Sequence, residues 1–165
     1  MKKNILAILI LLISFISCKN KSEDISHLPI YNPKELNIKN FKNVNFNLYS
    51  LKVPKEWKKY KTEGIDSFVT RLITSDLSVI SSDLGYYSNR LDNEKTTAKY
   101  YRLNNKKIKI VIPTEKGKGI TGVYIENLWK KEGEMIHFNL YGIDLSEKSE
   151  KELLQVISTI EFKEF

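Results

Sequence analysis

The sequence predicts an α+β domain in which an antiparallel β-sheet of about six to eight strands packs against a helix at the C-terminal end. Apolar and polar residues alternate with a period of two through most of the chain after residue 40, as in strands with one buried face. Short turns that contain glycine separate several of these runs, and the period becomes helical near the end. The chain is 41% hydrophobic and 28% charged, which is typical of a globular protein.

The first residues have the three-part pattern of a signal peptide. Lys2 and Lys3 give a positive start, and residues 5–16 form an apolar run. A run of about a dozen residues fits the apolar core of a signal peptide, whereas a membrane-spanning helix needs about 20. We therefore expect residues 1–17 to be a signal peptide, with an uncleaved membrane anchor as the alternative.

Residues 15–18, with the sequence Phe-Ile-Ser-Cys, resemble the lipobox of bacterial lipoproteins. The resemblance implies cleavage between Ser17 and Cys18 and a thioether-linked lipid on the cysteine. Cys18 is the only cysteine in the chain, so an intramolecular disulfide is excluded. The resemblance implies a diacylglyceryl group on the sulfur, and two or more acyl chains hold a protein stably on a membrane. Lys19 follows the cysteine at the position where an Asp often signals retention at the inner membrane. We therefore expect attachment to the cell envelope through lipid on Cys18, at the outer membrane, with the domain facing either the periplasm or the cell exterior.

The residues after Cys18 are polar and lack apolar periodicity, which predicts a tether. Pro29 and Pro33 disfavour a helix in the segment that follows. The predicted organisation is therefore a lipidated cysteine and polar tether over residues 18–40, followed by a single domain over residues 41–165.

The charge pattern indicates a solvated basic surface. The formal net charge is +7, but only Arg71, Arg90 and Arg102 among the basic residues are arginines. Proteins that read nucleic acids favour arginine for bidentate contacts. We therefore expect no nucleic-acid partner.

The first half of the domain predicts three strands, over residues 46–54, 68–73 and 77–81. Residues 81–85, with the sequence Ser-Ser-Asp-Leu-Gly, predict a turn, because Asp bonds its own backbone and Gly accepts a positive φ. The polar residues 87–97 predict a long loop.

The second half predicts a hairpin and the helix. Residues 107–113, where isoleucines alternate with lysines, give the clearest half-buried strand. A glycine-bearing turn joins the runs at 123–129 and 136–140, which indicates a hairpin. Ser146 predicts the helix cap, ahead of an apolar stripe and a last short strand at 159–162.

Two segments carry a family resemblance. Residues 49–57, Tyr-Ser-Leu-Lys-Val-Pro-Lys-Glu-Trp, resemble the opening of Mog1/PsbP-like domains, and residues 157–162 are similar to their ending. Residues 64–68 and 83–88 resemble small Bacteroidota proteins. The resemblance implies an antiparallel sheet with helices against it, and adaptor or assembly roles rather than a particular activity.

No motif in the sequence predicts catalysis, a metal or a cofactor. His27 and His137 lie far apart and do not give zinc-ligand spacing. The carboxylates do not match a calcium loop. The serines lack a nucleophile elbow, and residues 117–122 have the wrong spacing for a phosphate loop and precede a predicted strand.

The tyrosine pairs and Trp57 are the aromatic residues of interest. Tyr86, Tyr87, Tyr100 and Tyr101 form a candidate interaction surface for a partner protein or a glycan, with core packing as the alternative for about half of the aromatic side chains. Trp57, three residues after Pro54, is expected to close the end of the sheet rather than bind a partner.

These patterns together predict a non-enzymatic, membrane-anchored envelope lipoprotein that acts as an interaction or assembly-support module for another envelope protein. Two alternatives remain open. One is an immunity protein that neutralises a toxin in the periplasm. The other is a hydrolase with a polar site around His137.

Overall fold

The computed structural model describes residues 23–33, 39–60, 64 and 67–163. The predicted signal peptide, Ser17 and Cys18 lie outside these residues. The described part contains ten strands and one helix. They are β1 (Phe41–Asn45), β2 (Tyr49–Pro54), β3 (Lys58–Tyr60), β4 (Phe68–Ile73), β5 (Val79–Gly85), β6 (Thr96–Leu103), β7 (Lys106–Pro113), β8 (Ile120–Lys131), β9 (Glu134–Ile143), α1 (Glu147–Ile157) and β10 (Glu161–Phe162).

The strands form two antiparallel sheets. The larger sheet has seven strands in the order β3-β4-β5-β9-β8-β7-β6, and the smaller has three in the order β1-β2-β10. The α+β class and the C-terminal helix are thus confirmed. The expected single sheet of six to eight strands is corrected to two sheets, because β1, β2 and β10 pair with one another and not with the larger sheet.

The main core lies between the seven-stranded sheet, β2 and α1. Ser146 caps the helix by accepting a hydrogen bond from the main-chain N–H of Ser149 at 3.2 Å, as the sequence predicts. Leu153, Val156 and Ile157 are buried on the inner stripe of the helix, and Leu154 is half-buried beside them.

Trp57 is fully buried in the turn between β2 and β3. Its indole Nε1 donates to Oε2 of Glu152 on α1 at 3.0 Å, so the ring ties the end of β2 to the helix. The predicted burial of this ring is confirmed.

The predicted turn at residues 81–85 is wrong. These residues continue β5, where Asp83 lies opposite Val69 on β4 and Asn139 on β9. Distant polar groups bond to this segment: Ser82 Oγ bonds the hydroxyls of Tyr49 and Thr70, and the Asp83 main-chain N–H donates to Asn139 Oδ1 at 3.0 Å. The buried Oδ1 of Asp83 has no hydrogen-bond partner among the described residues. Polar residues that resemble a turn are therefore accommodated inside the sheet. The predicted loop at 87–97 is shorter than expected, since β6 begins at Thr96.

The segment before residue 41 contributes to the domain. Arg102 on β6 donates its main-chain N–H to Pro29 O at 2.8 Å and accepts from Tyr31 N at 2.9 Å. The buried ring of Tyr31 packs edge-on against Tyr101, and its hydroxyl donates to Leu154 O at 2.9 Å. The domain therefore includes residues that lie well before its predicted start at residue 41. Within the described ranges, no helix is long and apolar enough to span a bilayer.

Candidate functional site

The hairpin of β6 and β7 presents two different surfaces. Successive side chains in a strand point to opposite faces of the sheet. Tyr101 and Ile108 therefore face α1, whereas the opposed pair Tyr100 and Lys109 face the other way. Each face of the hairpin forms the floor of a groove, which we call the inner groove on the helix side and the outer groove on the opposite side.

The inner groove has a volume of about 610 Å³, which is within the usual range for ligand pockets. Its floor and walls are mostly apolar, and charged side chains lie at its rim. It is lined by Tyr31, Asn32, Pro33, Tyr101, Ile110, Ile112, Lys116, Gly117, Leu145, Glu147, Glu150, Lys151 and Leu154.

The rim of the inner groove is held in place by hydrogen bonds. The Tyr31 hydroxyl bonds α1 through Leu154 O, and Glu150 Oε2 accepts from Thr121 Oγ1 at 2.8 Å. Burial raises the pKa of the Tyr31 hydroxyl well above its ordinary value. These two hydrogen bonds therefore hold α1 against Tyr31 and against β8 at the rim of the groove.

The outer edge of β6 lies beside the inner groove. Arg102 directs its main-chain N–H and C=O outward to Pro29 and Tyr31. Hydrogen-bonding direction alternates along a strand, so every second residue points its main-chain groups to the same side. Ala98 and Tyr100 therefore also direct their main-chain N–H and C=O groups outward. Among the described residues, these outward groups of Ala98 and Tyr100 have no main-chain partner. An open strand edge of this kind is a template for pairing with another chain.

The outer groove has a volume of about 680 Å³ and a more polar lining. One wall is the loop 86–95, which folds onto the sheet because Leu91 packs against Val111 and Tyr124. The pairing of β8 with β9 shifts register between Ile125 and Trp129, where Asn127 has a positive φ of 53°. This irregularity places Glu126 and Asn127 on another wall of the groove. The groove is lined by Glu23, Arg90, Asp92, Tyr100, Asn105, Lys106, Lys107, Lys109, Tyr124, Glu126, Asn127 and Met135.

Lys109 is the unusual residue of the outer groove, since only 6% of it is exposed. Lysine is rarely buried unless it is paired. Its Nζ donates to Asp92 Oδ1 at 2.8 Å and lies 5.3 Å from the centre of the Tyr124 ring. The burial of Lys109 could not be predicted from the sequence, because a lysine between isoleucines resembles the solvent side of a strand.

The four tyrosines singled out from the sequence do not form one surface. Tyr100 lines the outer groove and Tyr101 the inner groove, on opposite faces of β6. Tyr86 and Tyr87 follow β5, which is separated from β6 by three strands. Tyr86 packs against the core, and Tyr87 is 89% exposed. The four tyrosines therefore lie in four different places: Tyr100 in the outer groove, Tyr101 in the inner groove, Tyr86 against the core, and Tyr87 exposed by itself.

The contacts of His137 and of the nearby Ser88 are with the main chain and with an aromatic ring. His137 Nδ1 accepts the main-chain N–H of Asn127 at 3.2 Å, and its ring stacks on Tyr124. Ser88 Oγ donates to main-chain carbonyls, including His137 O at 3.3 Å, and not to the imidazole. No group of three or more His, Cys, Asp or Glu side chains that could hold a metal occurs in the described part of the chain.

Comparison with known proteins finds no protein-family model and no curated protein that matches this chain. The resemblance to Mog1/PsbP-like domains stays a prediction. A function can be proposed on the geometry of the two grooves and of the β6 edge between them.

Proposed function

We propose that the chain is a lipid-anchored protein of the bacterial cell envelope that binds an extended segment of another envelope protein and catalyses no reaction. The observation that carries the proposal is the apolar inner groove beside the open edge of β6. Strand addition at a sheet edge supplies affinity through main-chain hydrogen bonds, and neighbouring pockets supply specificity through side chains.

The edge already accepts a peptide segment of this chain. Pro29 to Tyr31 pair with Arg102 at one end of β6 as a parallel bridge. The remaining outward groups, on Ala98 and Tyr100, continue the same edge. A partner strand placed there directs alternate side chains toward the helix side, where the inner groove lies.

The charge at this edge indicates an acidic and apolar partner segment. Lys95 directly precedes β6, and Lys99 lies near the start of that strand. Neither ammonium has a carboxylate partner among the described residues. Carboxylates on the partner would pair with them, while an apolar side chain would enter the groove over Ile110 and Ile112.

The short connection to the lipid suits a partner at the membrane. Twelve residues, 19–30, separate Cys18 from Tyr31. Fully extended, they span about 40 Å at about 3.3–3.6 Å per residue. The groove therefore stays close to the surface to which the proposed lipid is attached. The immunity and hydrolase alternatives stay predictions.

Anchoring is tested by replacing the predicted lipidation site. Cys18→Ala is expected to lose label from a fatty-acid probe and to accumulate as an unprocessed or released protein. Equal labelling of the variant and of the unaltered protein would contradict lipidation at Cys18.

Binding is tested with a displayed library of random peptides, selected on the mature chain in lipid nanodiscs. Selected peptides are expected to combine an apolar residue with acidic residues. Ala98→Pro removes an outward N–H on an edge strand, where proline is tolerated, and should weaken peptide binding at least about tenfold. Ala98→Ser keeps that N–H and should bind normally.

A second variant tests the groove itself. Ile112→Lys places an ammonium on the apolar floor and should also reduce binding by about tenfold or more. Tyr87→Ala, at a site remote from β6, serves as the control. Selected peptides that bind Ala98→Pro and Ile112→Lys as tightly as the unaltered protein would overturn the proposal.

A further inference from the structure

We infer that the outer groove is a second binding site, and that its ligand is a saccharide. The site is formed by the face of β7 and β8 opposite the inner groove, together with the loop 86–95. It uses Tyr100, Lys109 and Tyr124, none of which contributes to the proposed peptide groove through its side chain.

Lys109 supplies the hydrogen-bonding centre of the site. An ammonium group has three N–H donors, and Asp92 is its one hydrogen-bond acceptor among the described residues. Two donors therefore remain on a group that is almost completely buried and held by the Tyr124 ring. Asp92 is largely exposed, so its second carboxylate oxygen remains an acceptor next to those donors.

An adjacent donor and acceptor match sugar hydroxyls, because each hydroxyl both donates and accepts. Asn105 and Asn127 add side-chain amides, which have the same dual capacity. The half-exposed ring of Tyr100 adds flat apolar surface for the C–H face of a sugar ring, whereas the buried Tyr124 ring stacks on His137 and lies beside the Lys109 ammonium.

The charges of the groove favour a saccharide over a compact anion. Three of the four cations that line the groove are paired with carboxylates: Arg90 with Glu126 at 3.1 Å, Lys107 with Glu23, and Lys109 with Asp92. The fourth, Lys106, donates its Nζ to the main-chain carbonyl of Leu128 at 3.2 Å. A phosphate or sulfate entering the groove would meet these three carboxylates. A neutral polyhydroxylated ligand would bond to the fixed donors and acceptors without that repulsion.

The experiment uses the mature chain in nanodiscs and a defined panel of neutral probes: oligomers of N-acetylglucosamine, glucose oligosaccharides and galactose-containing oligosaccharides, with inorganic phosphate and sulfate as separate arms. At least one oligosaccharide is expected to bind. Lys109→Met keeps the aliphatic stem but removes the donors, and Tyr100→Ala removes a stacking ring. Each should weaken binding at least tenfold, and thermal melting of each variant verifies that it is folded.

Different variants test the two proposed sites independently. Ile112→Lys and Ala98→Pro should leave saccharide binding unchanged, so failure of the peptide site does not affect this test. Absence of binding to every saccharide in the panel would overturn the inference. Equal binding by folded Lys109→Met and Tyr100→Ala would also overturn it, and so would displacement of the saccharide by phosphate or sulfate at equal concentration.

Discussion

Replacing Trp57 by alanine should strongly destabilise the domain. The indole has no exposed surface and packs with the core between the sheets and α1. It also holds Glu152 through the Nε1 hydrogen bond of 3.0 Å. The substitution therefore leaves a large cavity at the point where the end of β2 meets the helix.

The expected fall in the free energy of unfolding follows from the burial of the Trp57 ring and from the lost hydrogen bond to Glu152. Truncation of a buried Trp or Phe to Ala typically costs about 3–5 kcal/mol, of which part is the residual cavity. The Glu152 bond adds little, because the Glu152 side chain remains partly exposed and water can replace the indole as its partner. We expect a loss of about 4 kcal/mol in the free energy of unfolding, a large fraction of the about 5–15 kcal/mol typical of a domain.

Urea titration followed by circular dichroism measures the loss directly as a fall in midpoint. Trp57→Phe should recover much of the stability, since it restores most of the ring volume without the N–H. Tyr87→Ala, at an exposed ring, should stay within about 0.5 kcal/mol of the unaltered protein. A Trp57→Ala midpoint and slope equal to those of the unaltered protein would refute the structural role of the ring.

Three further changes test the polar core and the N-terminal segment. Tyr49→Phe should cost about 1 kcal/mol in urea titration, since it removes a buried hydroxyl that contacts Thr70 and Ser82. Hydroxyl donors around the N-terminus of α1 hold the pKa of Asp76 well below its ordinary value, so Asp76 stabilises the fold above pH about 3.9 and loses this effect as the pH falls below that value. Asp76→Asn should therefore cost about 1 kcal/mol at pH 7, reduced by solvent screening, and the difference from the unaltered protein in melting experiments should shrink below pH 4. A chain that begins at residue 39 should be about 2 kcal/mol less stable than one that begins at residue 23, because it lacks the buried Tyr31 ring; equal urea midpoints would contradict the docking of this segment.

The parts of the fold with a regular local period could be predicted from the sequence. The strand at β7 and the capped helix α1 were predicted because one face of each is apolar at the proper spacing. β6 was missed, since residues 97–100 are exposed at the sheet edge and show no apolar alternation. β5 was divided incorrectly, because the groups that bond to Ser82 Oγ and to the Asp83 main-chain N–H lie on β2, β4 and β9.

The candidate sites depend on contacts that no local pattern records. The sequence identified Tyr100 and Tyr101 as notable, but their separation into two grooves required the pairing of β6 with β7. Lys109 is buried because the loop 86–95 packs over it. The sequence indicates this packing only through Leu91, an isolated apolar residue in a polar loop. Such a residue in a long loop is a reason to expect the loop to pack on the sheet.

The strand alternation that builds the core also keeps the two grooves apart. On β7, Ile110 and Ile112 face the helix, while Lys109 and Val111 face the loop 86–95. A shift of one residue would exchange these faces and place lysines in the core, so the register is strongly specified. Because the grooves share a backbone but no side chain, substitutions at Lys109 and Ile112 should act additively on stability and separately on binding.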